Sequence, residues 1–205
     1  MVQLKCRFGF REHYLRVWNP KPFLLVLSEK PLTMIVKLAE GDIKTKFGTY
    51  QEFLYYDGQK ETIALTMGDI AGVENVLCRV HSSCLFGHAF NSIECDCREQ
   101  MEISQQLIQQ AGRGIIIWLD QEGKGNGHFA LLKSVEHKRK GIAQADAYEA
   151  VGFKRDARDY TKVAEILQDL GVKSIRMLTD NPQKVETLTQ FGINVTGIKK
   201  VSLEL

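Results

Sequence analysis

No stretch of the 205-residue sequence approaches the roughly 20 consecutive apolar residues that a membrane-spanning helix requires. We therefore expect no membrane as a partner. The N-terminal residues also lack the uninterrupted apolar segment of a secretory signal peptide, because Arg7, Arg11, Glu12 and His13 follow soon after Met1. Together these absences predict a cytoplasmic protein.

A strong excess of charge of either sign is missing too. Lys and Arg number 27 and Asp and Glu number 25, so the formal net charge is only +2. A dedicated nucleic-acid-binding protein usually carries a basic patch or stripe. The longest basic cluster here is Lys138 to Lys140, and a solvent-exposed helix face explains it well. We therefore expect no nucleic acid as a partner.

The five cysteines do not form the even set that is typical of a disulfide framework, and three of them lie between residues 84 and 97. This arrangement favours a reducing compartment and thiolate chemistry. Cys95 and Cys97 are separated by one residue, so both side chains project from the same face of an extended segment. The residues after Cys84 are enough for a hairpin-like return that brings it beside this pair. Three converging thiolates suit zinc.

The number of protein ligands distinguishes the possible kinds of metal site. A structural zinc site normally closes with four protein ligands, whereas a catalytic site keeps one position for water. Cys78, His81 and His88 are the candidate fourth ligands. The pattern alone leaves open a catalytic zinc, a structural zinc and a set of buried cysteines without metal.

The hydrophobic pattern predicts an α/β fold, with a mixed sheet flanked by helices and a β-rich N-terminal part. The continuous apolar run over residues 114–119 is typical of a strand buried on both faces. A glycine-rich loop follows over residues 121–127 and by itself reads as a surface turn. Residues 1–35 form a separate N-terminal extension in this interpretation, and residues 36–205 form one catalytic domain. The other predicted strands are 34–38, 52–56, 61–67, 75–81 and 174–178. The predicted helices are 98–110, 130–139, 143–150, 160–170 and 181–191. Residues 193–195 end the predicted core.

Five segments resemble, in order and in spacing, the successive motifs of the GTP cyclohydrolase II family. They are RVHSSC at residues 79–84, CDC at 95–97, QEG at 121–123, DARD at 156–159 and LTDNPQK at 178–184. The resemblance extends over about residues 44–197. A single one of these motifs would be weak, but five in register with the cysteine triad are specific.

This resemblance implies a hydrolase of riboflavin biosynthesis that acts on cyclic amidine C–N bonds. The family opens the imidazole ring of GTP and forms formate, pyrophosphate and a diaminopyrimidine ribosyl phosphate. The resemblance implies one Zn²⁺ per chain on Cys84, Cys95 and Cys97, which provides a nucleophile for attack on guanine C8 near neutral pH. It also implies Mg²⁺ with the triphosphate, and a homodimer.

The same resemblance assigns residues to the nucleotide. The carboxylate of Glu122 suits the N1–H and the exocyclic amine of guanine, which are two adjacent donors, and Gly123 lets the backbone come close. Arg79, Lys184 and Thr179 supply donors for phosphate oxygens. The other expected contacts are His81, Ser82, Gln100 and Lys124.

Asp156 and Arg158 stand where the family has its proton acceptor and its phosphate-attacking arginine. A guanidinium group is effectively always protonated, which makes it a poor nucleophile. We therefore predict that Arg158 stabilises the charge of the α-phosphate while pyrophosphate leaves.

Several positions depart from the family pattern. Lys124 keeps the charge of the family arginine but loses its bidentate fork. Val135 replaces a tyrosine that the family uses in the hydrolytic steps after ring opening, and Gln144 replaces a threonine. Ring opening could survive the change at Val135 while deformylation fails, unless His128 or His137 substitutes.

Two alternatives to the cyclohydrolase remain at this point. One is a divergent family member that acts on another purine or pyrimidine. The other is a zinc-stabilised nucleotide-binding module without catalysis.

Overall fold

The computed structural model describes residues 35–201, except for the side chain of Gln183. The predicted N-terminal extension over residues 1–35 therefore lies, apart from Ile35, outside the described residues. Residue 34, the first of the strand predicted over 34–38, also lies outside the described residues.

Within this range seven strands form one mixed sheet. They are β1 (Val36–Thr45), β2 (Gly48–Tyr56), β3 (Glu61–Met67), β4 (Val76–Ser82), β5 (Gly114–Leu119), β6 (Ile175–Leu178) and β7 (Val195–Lys199). Their spatial order is β1-β2-β3-β5-β4-β6-β7. The pairs β1–β2, β2–β3 and β3–β5 are antiparallel, whereas β5–β4, β4–β6 and β6–β7 are parallel. The predicted mixed α/β architecture with a β-rich N-terminal part is confirmed.

The helices of the described residues follow the predicted pattern to within two residues at each end. They are α1 (Leu85–His88), α2 (Cys97–Ala111), α3 (His128–Arg139), α4 (Gln144–Ala150), α5 (Thr161–Asp169) and α6 (Pro182–Gln190), with a 3-10 turn at Glu122–Gly125; α1 has no predicted counterpart. Gly112 ends α2 in a left-handed conformation, with φ 65°, which glycine adopts without steric penalty. No helix among residues 35–201 is both long and apolar enough to cross a membrane.

The strand β5 lies at the centre of the sheet and is buried on both faces. On one face Ile115 and Ile117 pack in a core that includes Val163 and Ile166 of α5. On the other face Ile116 packs with Ile108 of α2 and with Leu178. Alternate residues of a strand point to opposite faces, so a strand covered on both sides needs an unbroken apolar run.

The structure differs from the sequence-based prediction at both edges of the sheet. β1 and β2 extend to a tight hairpin in which the Thr45 hydroxyl donates to the Gly48 carbonyl oxygen over 2.9 Å. Most of β1 is exposed, so it carries no alternating apolar signal. β7 likewise extends beyond the core boundary predicted at residues 193–195. The return after Cys84 is a helical turn, α1, rather than a hairpin.

Candidate active site

Parallel strands bring the predicted site residues to one edge of the sheet. β4, β5 and β6 run in the same direction, so the segments that follow them leave the sheet at a common edge. In α/β proteins this carboxyl edge is where ligands commonly bind. A cavity of about 1030 Å³ lies there. The predicted site residues that line it are Arg79, His81, Ser82, Cys84, Cys95, Cys97, Gln100, Glu122, Gly123, Lys124, Arg158, Thr179 and Lys184.

The three cysteines of the motif converge at this cavity. The Sγ atoms of Cys84 and Cys95 are 3.6 Å apart, and all three Sγ atoms lie within 4.8 Å of one another. A tetrahedral zinc ion with Zn–S bonds of about 2.3 Å separates its sulfurs by about 3.8 Å, so the spacing fits this ion. Among the described residues no histidine, aspartate, glutamate or further cysteine joins the group. Cys78 lies in the hydrophobic core instead.

The electrostatics of the cluster also fit a divalent cation. A hydrogen bond from the Cys97 thiol lowers the pKa of Cys84 to about 5, against the opposing effect of burial. Burial, followed by the effects of Cys84, raises the pKa of Cys95, although hydrogen bonds from Cys97 oppose this. The hydrogen bond to Cys84, followed by burial, raises the pKa of Cys97. The Cys84 thiolate therefore forms readily, and its charge disfavours ionisation of Cys95 and Cys97. Three thiolates this close need a nearby cation, which is the situation of zinc ligands.

Close backbone packing positions the cysteine cluster. A Cβ atom on Gly87 would stand 2.9 Å from the Cys95 Sγ, so a side chain there would displace the sulfur. The guanidinium group of Arg98 donates to the carbonyl oxygens of Gly87, at 3.0 Å, and of His88, at 2.5 Å. These contacts join the α1 turn to the start of α2, which carries Cys97.

Glu122 presents a free acceptor atom at the cavity. Its Oε2 accepts a hydrogen bond of 2.8 Å from the backbone N–H of Leu85. Its Oε1 is buried without a hydrogen-bond partner and lies 3.8 Å from Nδ1 of His128. Burial raises the pKa of Glu122, and the charge of Cys84 adds to this effect. A buried, unpaired carboxylate oxygen is the kind of group that a ligand donor completes.

The glycine-rich loop is bound to the segment that carries Asp156 and Arg158. The backbone N–H of Ala157 donates to the Lys124 carbonyl oxygen over 2.9 Å. The Gln121 side chain donates to the Asp159 carbonyl oxygen over 2.7 Å and accepts from the Asp159 N–H over 3.1 Å. The loop is therefore a wall of the cavity, which corrects the interpretation as a mere surface turn.

The side chain of Arg79 is buried at the cavity and donates hydrogen bonds to groups of three other residues. It is 5% exposed. Its guanidinium group donates to Nδ1 of His81 at 3.2 Å, to the Leu178 carbonyl oxygen at 2.9 Å and to Oε1 of Gln100 at 2.5 Å. Burial, and then the charge of Arg79, lower the pKa of His81 to about 2. His81 is therefore a neutral acceptor.

Lys184 and Thr179 occupy the end of the cavity at the start of α6. The ammonium group of Lys184 is buried and donates to the Val80 carbonyl oxygen over 2.6 Å. Burial and the charges of Arg79 and Arg158 lower the pKa of Lys184 well below its ordinary value. The Thr179 hydroxyl accepts a hydrogen bond of 3.1 Å from the Asn181 N–H. An anion bound here would reduce the repulsion between the cations.

Asp156 and Arg158 form an ion pair beside this end of the cavity. Nε of Arg158 donates to both carboxylate oxygens of Asp156, at 2.9 and 3.2 Å, and a terminal guanidinium nitrogen pairs with the same carboxylate. Arg158 also lies over the ring of Tyr160, at 5.5 Å from its centroid. Arg158 lines the main cavity, whereas Asp156 lines an adjoining pocket of about 280 Å³ together with Arg158 and Lys184.

The similarity to known proteins agrees with this geometry. A model of the family described as GTP cyclohydrolase II matches residues 36–200, which is most of the chain. The chain belongs to the GTP cyclohydrolase II family. The predicted family and the prediction of a hydrolase of the GTP cyclohydrolase II type are thereby confirmed.

Individual relatives of this GTP cyclohydrolase II family member are similar over most of its length. It is 38% identical over 177 residues to GTP cyclohydrolase-2 of Haemophilus influenzae (strain PittEE), over 85% of this chain and 81% of the relative. It is 37% identical over 184 residues to the riboflavin biosynthesis protein RibBA of Chlorobium phaeovibrioides, over 89% of this chain and 44% of that protein. Among solved structures, RibBX from A. baumannii, a two-domain 3,4-dihydroxy-2-butanone 4-phosphate synthase, aligns over 83% of this chain and 40% of its own, at 19% identity and a TM-score of 0.46.

The positions at which this family member departs from the pattern also lie at the cavity. Val135 and Gln144 line it, and the Gln144 amide donates to the Ser134 hydroxyl over 3.0 Å. Neither His128 nor His137, the two suggested substitutes for the family tyrosine, is among the lining residues.

Sequence reasoning missed one polar side chain that lines the cavity of this family member. Tyr148 lines the same cavity from α4, and its side chain is 1% exposed. The signal that could have indicated it is the spacing of four residues from Gln144, since residues i and i+4 share one face of a helix.

Proposed function

We propose that this protein opens the imidazole ring of GTP by hydrolysis at C8, with zinc at Cys84, Cys95 and Cys97, and that it releases pyrophosphate. Release of formate is the slow step in this proposal, because Val135 replaces the family tyrosine. One observation carries the proposal: the convergent thiols and the unpaired Oε1 of Glu122 line a single cavity. The ion pair of Asp156 and Arg158 at this cavity and its adjoining pocket favours catalysis over a non-catalytic nucleotide-binding module.

The cysteine cluster and Glu122 would have different roles at the base: the cluster would hold zinc, and Glu122 would bind the base by hydrogen bonds. When bound, zinc supplies a water that is activated near neutral pH. Glu122 accepts N–H groups of guanine at Oε1, while its Oε2 stays on the Leu85 N–H. The buried carboxylate thereby orients the base, so that the reacting carbon is held in one position.

The cations that line the cavity would bind the triphosphate. Arg158 is held by Asp156 and by the Tyr160 ring, so its guanidinium is oriented before the substrate arrives. Its charge stabilises the α-phosphate as pyrophosphate leaves. Lys184 and Arg79 are buried cations whose desolvation favours a bound anion, and Mg²⁺ accompanies the triphosphate in this proposal.

The family resemblance supports the remaining elements of the proposal. They are a homodimer in the cytoplasm and a place in riboflavin biosynthesis, whereas the N-terminal extension over residues 1–35 lies outside the matched residues. Asp156 acts as the proton acceptor in this scheme, after the phosphate has freed it from Arg158.

The test is incubation of the zinc-loaded protein with GTP, followed by mass analysis for pyrimidine, pyrophosphate and formate. Cys95→Ser should lose zinc and ring opening together, because the thiolate is a metal ligand. Cys78→Ala is the matched control, since this cysteine lies in the core outside the cluster, and it should keep both zinc and turnover.

Two results would contradict the proposal. One is a parent protein that leaves GTP intact. The other is a Cys95→Ser variant that keeps a full equivalent of zinc.

A further inference from the structure

We propose that the hydroxyl of Tyr148 donates a hydrogen bond to the 6-oxo group of the bound base and, together with Glu122, selects guanine among the purines. This inference rests on the proposed function, because it places a guanine nucleotide in the cavity.

Helix α4 holds Tyr148 in a fixed position at the cavity. Gln144 and Tyr148 face the cavity from consecutive turns, and Gln144 is anchored to Ser134 of α3. The carbonyl oxygen of Tyr148 accepts the Phe153 N–H over 2.9 Å where the helix ends. The ring itself is buried, so its hydroxyl has little freedom to change position.

The hydroxyl of Tyr148 lies beside Glu122 and is available to a ligand. A Cβ atom on Gly123 would stand 3.4 Å from this oxygen, which places it against the residue that follows Glu122. Within residues 35–201 the structure gives the oxygen no hydrogen-bond partner. Burial, followed by the charges of Glu122 and Cys84, raises the pKa of Tyr148. The phenol therefore stays protonated and can donate.

Tyr148 and Glu122 together match one edge of guanine. This edge presents an acceptor, O6, followed by two donors, N1–H and the exocyclic amine. Glu122 offers an acceptor for the donors, and the Tyr148 hydroxyl is a donor for O6. Adenine presents an amine and an unprotonated N1 at the same positions, so it would face the pair with the opposite pattern. A site built of buried polar groups rejects such a ligand because those groups lose their partners.

Other uncharged donors at the cavity are less suited to O6. The amide of Gln144 already donates to Ser134, and the amide of Gln100 donates to a carboxylate oxygen of Asp96 over 2.7 Å. Ser82 is a competitor, since its hydroxyl is buried without a partner among the described residues and it also lines the cavity. Ser82→Ala therefore belongs in the experiment.

The experiment measures equilibrium binding of two nucleotides to the zinc-loaded protein. The probes are 7-deaza-GTP, whose five-membered ring has carbon in place of N7 and resists hydrolytic opening, and its 6-deoxo analogue, which lacks O6 and consequently also the N1–H. Tyr148→Phe removes only the hydroxyl. It should weaken binding of 7-deaza-GTP by roughly 5- to 100-fold, as expected for a buried acceptor left unpaired. It should change binding of the 6-deoxo probe by less than about 3-fold, because this probe has no O6 to lose.

Three results would overturn the inference: an unchanged affinity of Tyr148→Phe for 7-deaza-GTP, an equal loss for both probes, or a loss of selectivity in Ser82→Ala instead. Turnover of GTP by the parent is measured separately. Because binding is read without turnover, failure of the proposed function and failure of the role of Tyr148 give different results.

Discussion

Gly125 of the glycine-rich loop packs against the backbone of the segment that carries Arg158. A Cβ atom at this position would stand 2.7 Å from the carbonyl carbon and oxygen of Ala157 and 2.9 Å from the Arg158 nitrogen. An ordinary contact begins near 3.4 Å, so Gly125→Ala must separate the two segments by about 0.7 Å. All three contacts are with backbone atoms, which cannot rotate away.

This displacement should reduce catalysis much more than it affects metal binding. A misplacement of about 1 Å can lower a rate by about 10²-fold. We therefore expect kcat/KM for GTP to fall by roughly 10- to 100-fold in Gly125→Ala. The zinc content should stay at the parental value, because the cysteine ligands belong to other segments. The left-handed backbone, with φ 82° at Gly125, adds a loss of stability of about 1–2 kcal/mol.

Gly141→Ala is the matched control for backbone strain. Gly141 has a φ of 84°, close to that of Gly125, but among the described residues no heavy atom beyond its chain neighbours lies within 4 Å of the position of its Cβ. It should therefore lose similar stability and keep its activity. The assays are GTP consumption, zinc content and thermal unfolding of both variants. Equal kcat/KM values for the two variants, or parental activity in Gly125→Ala, would refute the reasoning.

Two further changes test other parts of the molecule. Val135→Tyr places a phenol on the cavity wall, and general acid catalysis by such a group typically contributes about 10²–10⁴-fold. The formate released per GTP consumed should therefore rise, while GTP consumption barely changes. A parent that already releases formate in proportion to GTP contradicts this prediction. Asp57→Asn removes an ion pair with Lys162; burial of Asp57 opposes its ionisation, but this pair and two backbone N–H groups outweigh it and lower the pKa from 3.8 to about 2. The stabilisation of the fold by the charged Asp57 is therefore complete above about pH 4 and disappears as the pH falls toward 2. The denaturant midpoints of parent and variant should differ at pH 7 and converge in acid. A difference that stays constant with pH would show that the carboxylate charge is not its cause.

The cysteine cluster was predictable because its members are close along the chain. The extended segment predicted for Cys95 and Cys97 is not what brings them together, since Asp96 has a ψ of 16° and α2 begins at Cys97. A continuous apolar run is enough to mark β5 as a strand buried on both sides. The five motifs occur in a fixed order that can be recognised without coordinates. The exposed strand β1 has no such signal, because no core face imposes an alternation on it.

The sequence by itself determined the α/β class, the family and the residues that meet at the carboxyl edge of the sheet, because local periodicity and motif order encode them. Tertiary structure alone decided that Cys78 packs in the core instead of joining the cluster, that three N–H groups of Arg79 already donate within the protein, and that Tyr148 faces the cavity beside Glu122. Each of these outcomes depends on groups that are distant along the chain, such as Arg79 and the carbonyl oxygen of Leu178. Their distance and direction follow from how strands and helices pack, which no local pattern specifies.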